Sequence, residues 1–301
     1  MRLAITGGTG FVGSHLLEVA LVAGHSVAAL TRREQPVREG VDWIAGDLST
    51  RDSLEQLVRD ADAVIHVAGT INAPNAAGFD QGNVAGTLTM LAAATAGGVH
   101  RFVHVSSLAA REPKLSLYGA SKQRAEELVH SSGLDWAIVR PPAVYGPGDK
   151  ETLELFRMAK LGLMLTPPKG CVSVIHADDL AGLLVALADA SAPVNCLIEP
   201  DDGKPGGWTH REFARALAEA VGTRAAVISS PGLLLRLAAR ADQFLRGEKA
   251  KLTTDRAAYF SHRNWVVEPK RAAPVTLWRP GIETMRGLRD TAEWYRAQGW
   301  L

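Results

Sequence analysis

Leu3-Ala4-Ile5-Thr6-Gly7-Gly8-Thr9-Gly10-Phe11-Val12-Gly13 sets three structural signals side by side. A short apolar run with a β-branched member reads as a strand, and it ends abruptly in glycines. From Phe11 to Ala23 apolar residues recur at helical spacing. Strand, glycine loop, helix is the context that a dinucleotide fingerprint requires. Gly7, Gly10 and Gly13 permit a tight turn and a close backbone approach to a pyrophosphate. The start of the helix, Phe11-Val12, offers N–H groups to phosphate oxygens. A glycine-rich turn alone would have the same composition; the flanking strand and helix distinguish the two.

Outward from this stretch, Ser26–Leu30 reads as a second strand, and the residue at its end decides which cofactor fits. An acidic residue about 20 positions past the glycines would bind a free ribose 2′-hydroxyl. Thr31 stands there instead, followed by Arg32 and Arg33. Two guanidiniums without a carboxylate favour NADP(H), with NAD(H) still open; solvated loop charges are the alternative. Val41–Ala45 reads as a third strand, followed by Gly46-Asp47-Leu48, where Asp47 can accept from an adenine amino group. Asp52–Arg59 reads as a helix capped by Ser49 or Thr50. Ala63–Val67 is a fourth strand ending His66-Val67-Ala68-Gly69, whose small residues let backbone lie against a ribose. His66, inside a strand, reads as structural. A loop over Thr70–Phe79 and a helix over Asn83–Ala96 lead to a fifth strand, Arg101–Val105. Ser106-Ser107 sits at its carboxyl end, the edge where open parallel sheets bind ligands. The serines, the Gly69 loop and the glycine fingerprint should therefore share one crevice.

Tyr118-Gly119-Ala120-Ser121-Lys122 opens the next helix, which runs to His130. Four residues apart, Tyr118 and Lys122 lie on one helix face. A phenol titrates near ~10, and a neighbouring ammonium favours the phenolate. A tyrosine so tuned can exchange a proton with an alcohol oxygen, and a nearby serine can hydrogen-bond the same oxygen. Alone, Tyr-x-x-x-Lys also arises by chance on surface helices. Leu134–Val139 is a sixth strand, and Arg140–Gly148, rich in Pro and Gly, reads as a rigid loop.

These pieces together resemble the short-chain dehydrogenase/reductase superfamily, in its extended or atypical epimerase/dehydratase branch. The motifs are Thr6 to Gly13, Gly46-Asp47-Leu48, His66 to Gly69, Asn83-Val84-Ala85-Gly86-Thr87, Val105-Ser106-Ser107, Tyr118 to Lys122, Arg140 to Gly148 and Val174 to Ala181. They stand in the family's order over roughly the first 180 residues. The resemblance implies an α/β fold: a Rossmann doubly wound parallel sheet over 1–165 and a smaller mixed substrate lobe over 166–301, the chain crossing back near 172–198. It implies Tyr118 as acid/base, Lys122 as its partner and holder of the nicotinamide ribose, and Ser107, rather than Ser106, as the carbonyl-polarising hydroxyl. It places Pro141, Ala143 and Val144 against the nicotinamide, and Val67, Ala68, Gly69 and Leu48 along the rest of the cofactor. Only 11 positions separate Ser107 from Tyr118, where sugar-nucleotide enzymes carry a longer insertion.

In the second half, Glu151–Leu165 reads as a helix, Cys171–Ile175 as a strand and Ala177–Ala190 as a helix with Asp178 and Asp179 in its first turn. These acids read as caps rather than metal ligands. Val194–Ile198 is a strand, and Thr209 with Glu212 forms a capping box for a helix to Val221. Residues 231–246 can form an amphipathic helix with an arginine stripe, either a packing helix or a lid or membrane-surface contact. An aromatic run over 249–265 follows. Glu283–Gln298 is a final helix whose Trp294, Trp300 and Leu301 imply docking.

Composition narrows the class. With 301 residues, 47% hydrophobic and 22% charged, the chain can build one large domain and a lobe. A net charge of +1 gives no electrostatic case for nucleic acid. Cys171 and Cys196 form neither a metal cluster nor a disulfide framework, which fits a reducing cytosol. Met1-Arg2 runs straight into a strand rather than a signal peptide, so a cytoplasmic protein, reaching the membrane surface through 231–246, is the expectation. No metal is expected. Three functions follow. The first is an NADP(H)-dependent oxidoreductase acting on a ketone of an apolar substrate. Resemblance to related bacterial chains implies a keto-sphingolipid such as 3-oxo-ceramide or 3-ketosphinganine. The second is a nucleotide-sugar epimerase or dehydratase, and the third a non-catalytic, dehydrogenase-like scaffold. The helices 83–96 and 118–130 are the pair this superfamily uses for homodimers.

Overall fold

The computed structural model describes residues 1–167, 169–229, 258–259 and 262–301. Two compact units emerge. The first comprises Met1–Pro141, Asp178–Pro200 and Lys270–Arg279, the second Pro142–Ala177, Asp201–Pro269 and Pro280–Leu301. The first unit thus ends its opening segment at Pro141, earlier than the expected boundary at 165, and the crossing-back stretch that rejoins it is 178–200.

The first unit is built on seven parallel strands: β1 Arg2–Thr6, β2 Ser26–Thr31, β3 Val41–Ala45, β4 Ala63–His66, β5 Arg101–Val105, β6 Asp135–Val139 and β11 Cys196–Ile198. Their order is β11-β6-β5-β4-β1-β2-β3. The order reverses between β1 and β4, and ligands of such sheets sit at that switch point, beyond the strands' carboxyl ends. β1, β4 and β5 are near-continuously buried, as strands covered on both faces must be. One face is filled by Leu54, Leu57, Met90, Phe102, Val129 and Ile138. These come partly from α2 Arg51–Val58, α4 Gly86–Ala96 and α5 Leu117–His130. α1 Phe11–Val22 and α7 Ala177–Ala188 complete the helices used below.

The region read as loop then helix over 70–96 is more finely built. Asn75 caps a short helix, α3 Ala76–Phe79, by accepting from the Gly78 amide. It runs through a π-helical turn, Asp80–Ala85, into α4. The second unit contains β7 Ala143–Tyr145 paired with β10 Val174–His176, so the expected loop after Arg140 holds a short strand. The expected helix over 151–165 is shorter, α6 Leu153–Lys160. Gly162, at φ +76°, stops it, and Leu163–Thr166 becomes β8, paired with β13 Ala226–Ser229. Thr209 and Glu212 form both bonds of the capping box on α8 His210–Ala220. The last helix, Thr284–Ala297, docks with Trp294, Trp300 and Leu301 against a core of Tyr145, Phe156, Phe213 and Tyr295. The amphipathic stretch 231–246 and most of the aromatic run 249–265 lie outside the described residues. Among those described, no helix is long and apolar enough to cross a membrane.

Candidate active site

The glycine loop turns where β1 ends. The Gly10 amide donates to the Gly7 carbonyl at 3.0 Å and the Ser14 amide to the Gly10 carbonyl at 2.8 Å. Two glycines are sterically required. A Cβ on Gly13 would lie 1.9 Å from the Gly7 oxygen; one on Gly7, itself at φ +76°, would lie 2.7 Å from the Ala68 amide nitrogen. Gly10 is the N-cap of α1 and no side chain caps it. The first-turn N–H groups of Phe11, Val12 and Gly13 are thus left to face an anion. A bare backbone cradle with an uncapped helix start fits a dinucleotide pyrophosphate.

At the end of β2, Arg32 and Arg33 are exposed and form no ion pair among the described residues. With Thr31, Gln35, Trp43 and Asp47 they line a cleft of about 440 Å³. Trp43 is fixed by its indole N–H to the Pro36 carbonyl at 3.0 Å. Asp47 Oδ1 accepts from the Ser49 amide and from the Ser49 and Thr50 hydroxyls. The Ser49 bonds hold this carboxyl below the usual range. Thr50 occupies the N-cap of α2, but its side chain bonds Asp47 rather than the helix. Leu48 is tied down by the Thr89 hydroxyl on its carbonyl and by Gly86, where a Cβ would lie 2.6 Å from the Leu48 side chain.

Ser107, Tyr118 and Lys122 come together at the carboxyl edge of β5. Ser107 Oγ accepts from the Ala109 amide at 3.2 Å, and its side chain is hydrogen-bonded to Tyr118. Ser116 starts α5 by accepting from the Gly119 amide, which sets Tyr118 in the first turn. Tyr118 is half-buried and its ring lies 6.1 Å from Phe79. Burial pushes its phenol up, and the bond to Ser107 offsets part of that rise. This differs from the sequence expectation that Lys122 would dominate and pull the phenol down. Lys122 is itself buried, which lowers it to about 8, and its Nζ donates to the Val105 carbonyl at 2.9 Å. Gly69 packs here too: a Cβ on it would lie 2.8 Å from Asn83 Oδ1 and 3.1 Å from Lys122 Nζ.

A polar network invisible to motif reading joins these parts. Thr6 Oγ1, accepting from the Ala68 amide, lies 2.7 Å from His66 Nδ1. His66 Nε2 lies 3.2 Å from Thr87 Oγ1, which donates to the Asn83 carbonyl. This chain of donors puts the imidazole proton on Nε2. Burial drives His66 down to about 3, so it is neutral and structural, as its strand position implies. Asn83, in the π-helical turn, accepts from the Thr70 amide and donates to the Thr70 carbonyl and Ser121 Oγ. Single-turn π segments recur at functional sites. Pro141 closes the first unit's long segment, its carbonyl accepting from the Leu108 amide. Ala143 and Val144 lie in β7 of the second unit. Asp178 reaches His15 of α1 at 2.5 Å.

The chain belongs to the NAD dependent epimerase/dehydratase family, whose model residues 3–196 match. It is an enzyme of the short-chain dehydrogenase/reductase type, an NAD(P)-dependent oxidoreductase. It is 38% identical to the ceramide reductase of Caulobacter vibrioides over 313 aligned positions, covering 99% of this chain and 96% of that one. It is 31% identical to the 4-hydroxy-2-methyl-3-oxo-4-farnesyl-3,4-dihydroquinoline-1-oxide ketoreductase of Stigmatella aurantiaca, over 81% of this chain and 80% of that one. In fold it resembles MoeE5 in complex with UDP-glucuronic acid and NAD, with a TM-score of 0.74 at 20% identity, covering 99% of both chains.

Proposed function

We propose that this chain is an NADPH-dependent reductase acting on a ketone of a long-chain, ceramide-type lipid. The observation that carries the reading is the 38% identity to a ceramide reductase along nearly the whole of both chains. Preference for NADPH is supported by two guanidiniums, Arg32 and Arg33, that form no ion pair among the described residues and line the cleft past β2, where a 2′-phosphate would meet them. Phe11, Val12 and Gly13 hold the pyrophosphate by backbone N–H groups. Asp47 and Leu48 flank the adenine, and Val67, Ala68 and Gly69 lie along the ribose. Pro141, Ala143 and Val144 contact the nicotinamide.

When bound, the nicotinamide supplies the hydride for the carbonyl carbon. Ser107 donates a hydrogen bond to the carbonyl oxygen and polarises it. Tyr118 gives that oxygen its proton. Lys122, still charged at pH 7, stabilises the tyrosinate left behind. Ser106 is excluded from this role because its hydroxyl is committed to Glu126 at 2.5 Å.

The test is to incubate the protein with NADPH and 3-oxo-ceramide in detergent micelles, following NADPH absorbance and product mass. NADPH oxidised only with lipid present, with a product gaining two hydrogens, is expected. Isomerisation of a UDP-sugar on retained NAD would overturn the reading in favour of an epimerase, and NADPH binding with no turnover would favour a scaffold. Tyr118→Phe should lower kcat by about 10²–10⁴-fold with NADPH affinity near wild type.

A further inference from the structure

Glu126 lies one helical turn beyond Lys122, as Lys122 lies beyond Tyr118, so α5 presents all three on one face. Its carboxylate is buried and fully engaged. Oε1 accepts from Ser106 Oγ at 2.5 Å and from Arg140 Nε at 2.8 Å; Oε2 accepts from Arg140 Nη2 at 2.6 Å. Ser106 is the link between Val105, whose carbonyl accepts a hydrogen bond from Lys122, and Ser107, which bonds Tyr118. The Ser106 amide donates to the Val139 carbonyl at 2.7 Å, one residue before Arg140. The serine turn is therefore clamped from α5 and from the end of β6.

We propose that Glu126 is a positioning residue of the active site. Through Ser106 it fixes where Ser107 stands, and through its charge one turn away it keeps Lys122 protonated. The proposal rests on the proton-transfer role given to Tyr118, Lys122 and Ser107 above, and not on the lipid.

The surrounding charges bear this out. Lys122 is faced on its own helix by Tyr118 and Glu126, from β4 by His66 and from β5 by His104. Both imidazoles are driven far down by burial and are neutral. The negative charge of Glu126 is the influence that raises Lys122 against its own burial. Arg140 in turn faces Glu199 at 3.5 Å, and Glu199 faces Arg111 at 3.6 Å and Arg271 at 3.8 Å. Arg140 thus pairs with Glu126 through both oxygens, and Glu199, with its two further arginines, holds Arg140 in place.

Two variants test the two functions separately. Glu126→Gln retains an oxygen for Ser106 but removes the charge. Ser106→Ala removes the link but leaves every charge. In Glu126→Gln, the high-pH limb of kcat/KM for ketone reduction should move about one pH unit lower. The pH dependence of NADPH affinity, read by fluorescence without any substrate, should move the same way. In Ser106→Ala, kcat should fall about tenfold or more from a misplaced Ser107, with KM for NADPH and the high-pH limb unchanged. A Glu126→Gln protein whose NADPH-binding pH curve superimposes on wild type overturns the charge role, even if it melts at lower temperature. A Ser106→Ala protein with wild-type kcat overturns the positioning role. Failure of every ketone to react would count against the reductase reading alone, because the binding curve still decides the charge role.

Discussion

Ser106 and Ser107 are neighbours with the same side chain and opposite employment. Ser106 is spent on Glu126, twenty residues along the chain, while Ser107 bonds Tyr118. The sequence places both at a strand end, but only the fold decides which hydroxyl is available. Tyr118 and Lys122 were legible because their spacing is local. The dominance of burial over Lys122 in setting the phenol was not, since burial is a property of packing. Gly13 is a further case: the motif announces it, and the 1.9 Å approach to the Gly7 oxygen explains it. Cofactor choice is testable at this scale. Arg32→Asp should lower the ratio of kcat/KM for NADPH over NADH by about 10–100-fold, since it exchanges a phosphate partner for a repelling charge. An unchanged ratio in steady-state kinetics would assign the 2′-phosphate to Arg33 or to neither.

Among elements, β4 and β5 carry a buried histidine each, His66 and His104, aligned in register and stacked at 5.5 Å. His66 is hydrogen-bonded; neither nitrogen of His104 has a partner among the described residues. Both titrate below the ordinary imidazole value in the folded chain because burial disfavours the cation. As pH falls below about 6.5 the unfolded chain therefore takes up protons that the folded chain refuses. Each histidine removes about 1.4 kcal/mol of stability per pH unit there. That loss is absent above about 6.5. Urea melts between pH 6.5 and 5 should show the slope of ΔG against pH shrink by about half of the pair's contribution in His104→Leu. An identical slope would mean that His104 is protonated in the fold. The strands and most helices were legible because buried parallel strands are short apolar runs between glycine and proline punctuation. The π-helical turn at Asp80–Ala85 was not, because shifting a helical bond by one residue leaves composition unchanged. The strand Leu163–Thr166 was misread as helix although Gly162 marked the break.

At the scale of the molecule, the first unit is assembled from three separated stretches of chain. β11 covers the edge of β6, and the Arg101 side chain donates to the Leu187 and Pro193 carbonyls. A fragment of residues 1–165, the domain expected from the sequence, lacks all of these partners. It should expose an unpaired β6 edge and aggregate, or melt without cooperativity, by circular dichroism and light scattering. A soluble, cooperatively melting fragment would show that the first 165 residues suffice. Length and motif order made two units foreseeable. The chain's crossing back was expected near 172–198; the third stretch, Lys270–Arg279, was not, because so short a segment carries no signal of the unit it joins.

That interleaving has a consequence in time. During synthesis the stretch ending at Pro141 emerges well before Lys270–Arg279, the last piece of the same unit. At roughly 5–20 residues per second, the wait is on the order of ten seconds. For the first part of that interval, until Cys196–Ile198 follows, the nascent sheet stands with an open margin at β6, and the ribosome, rather than the finished sequence, sets how long it must be kept from the wrong neighbour.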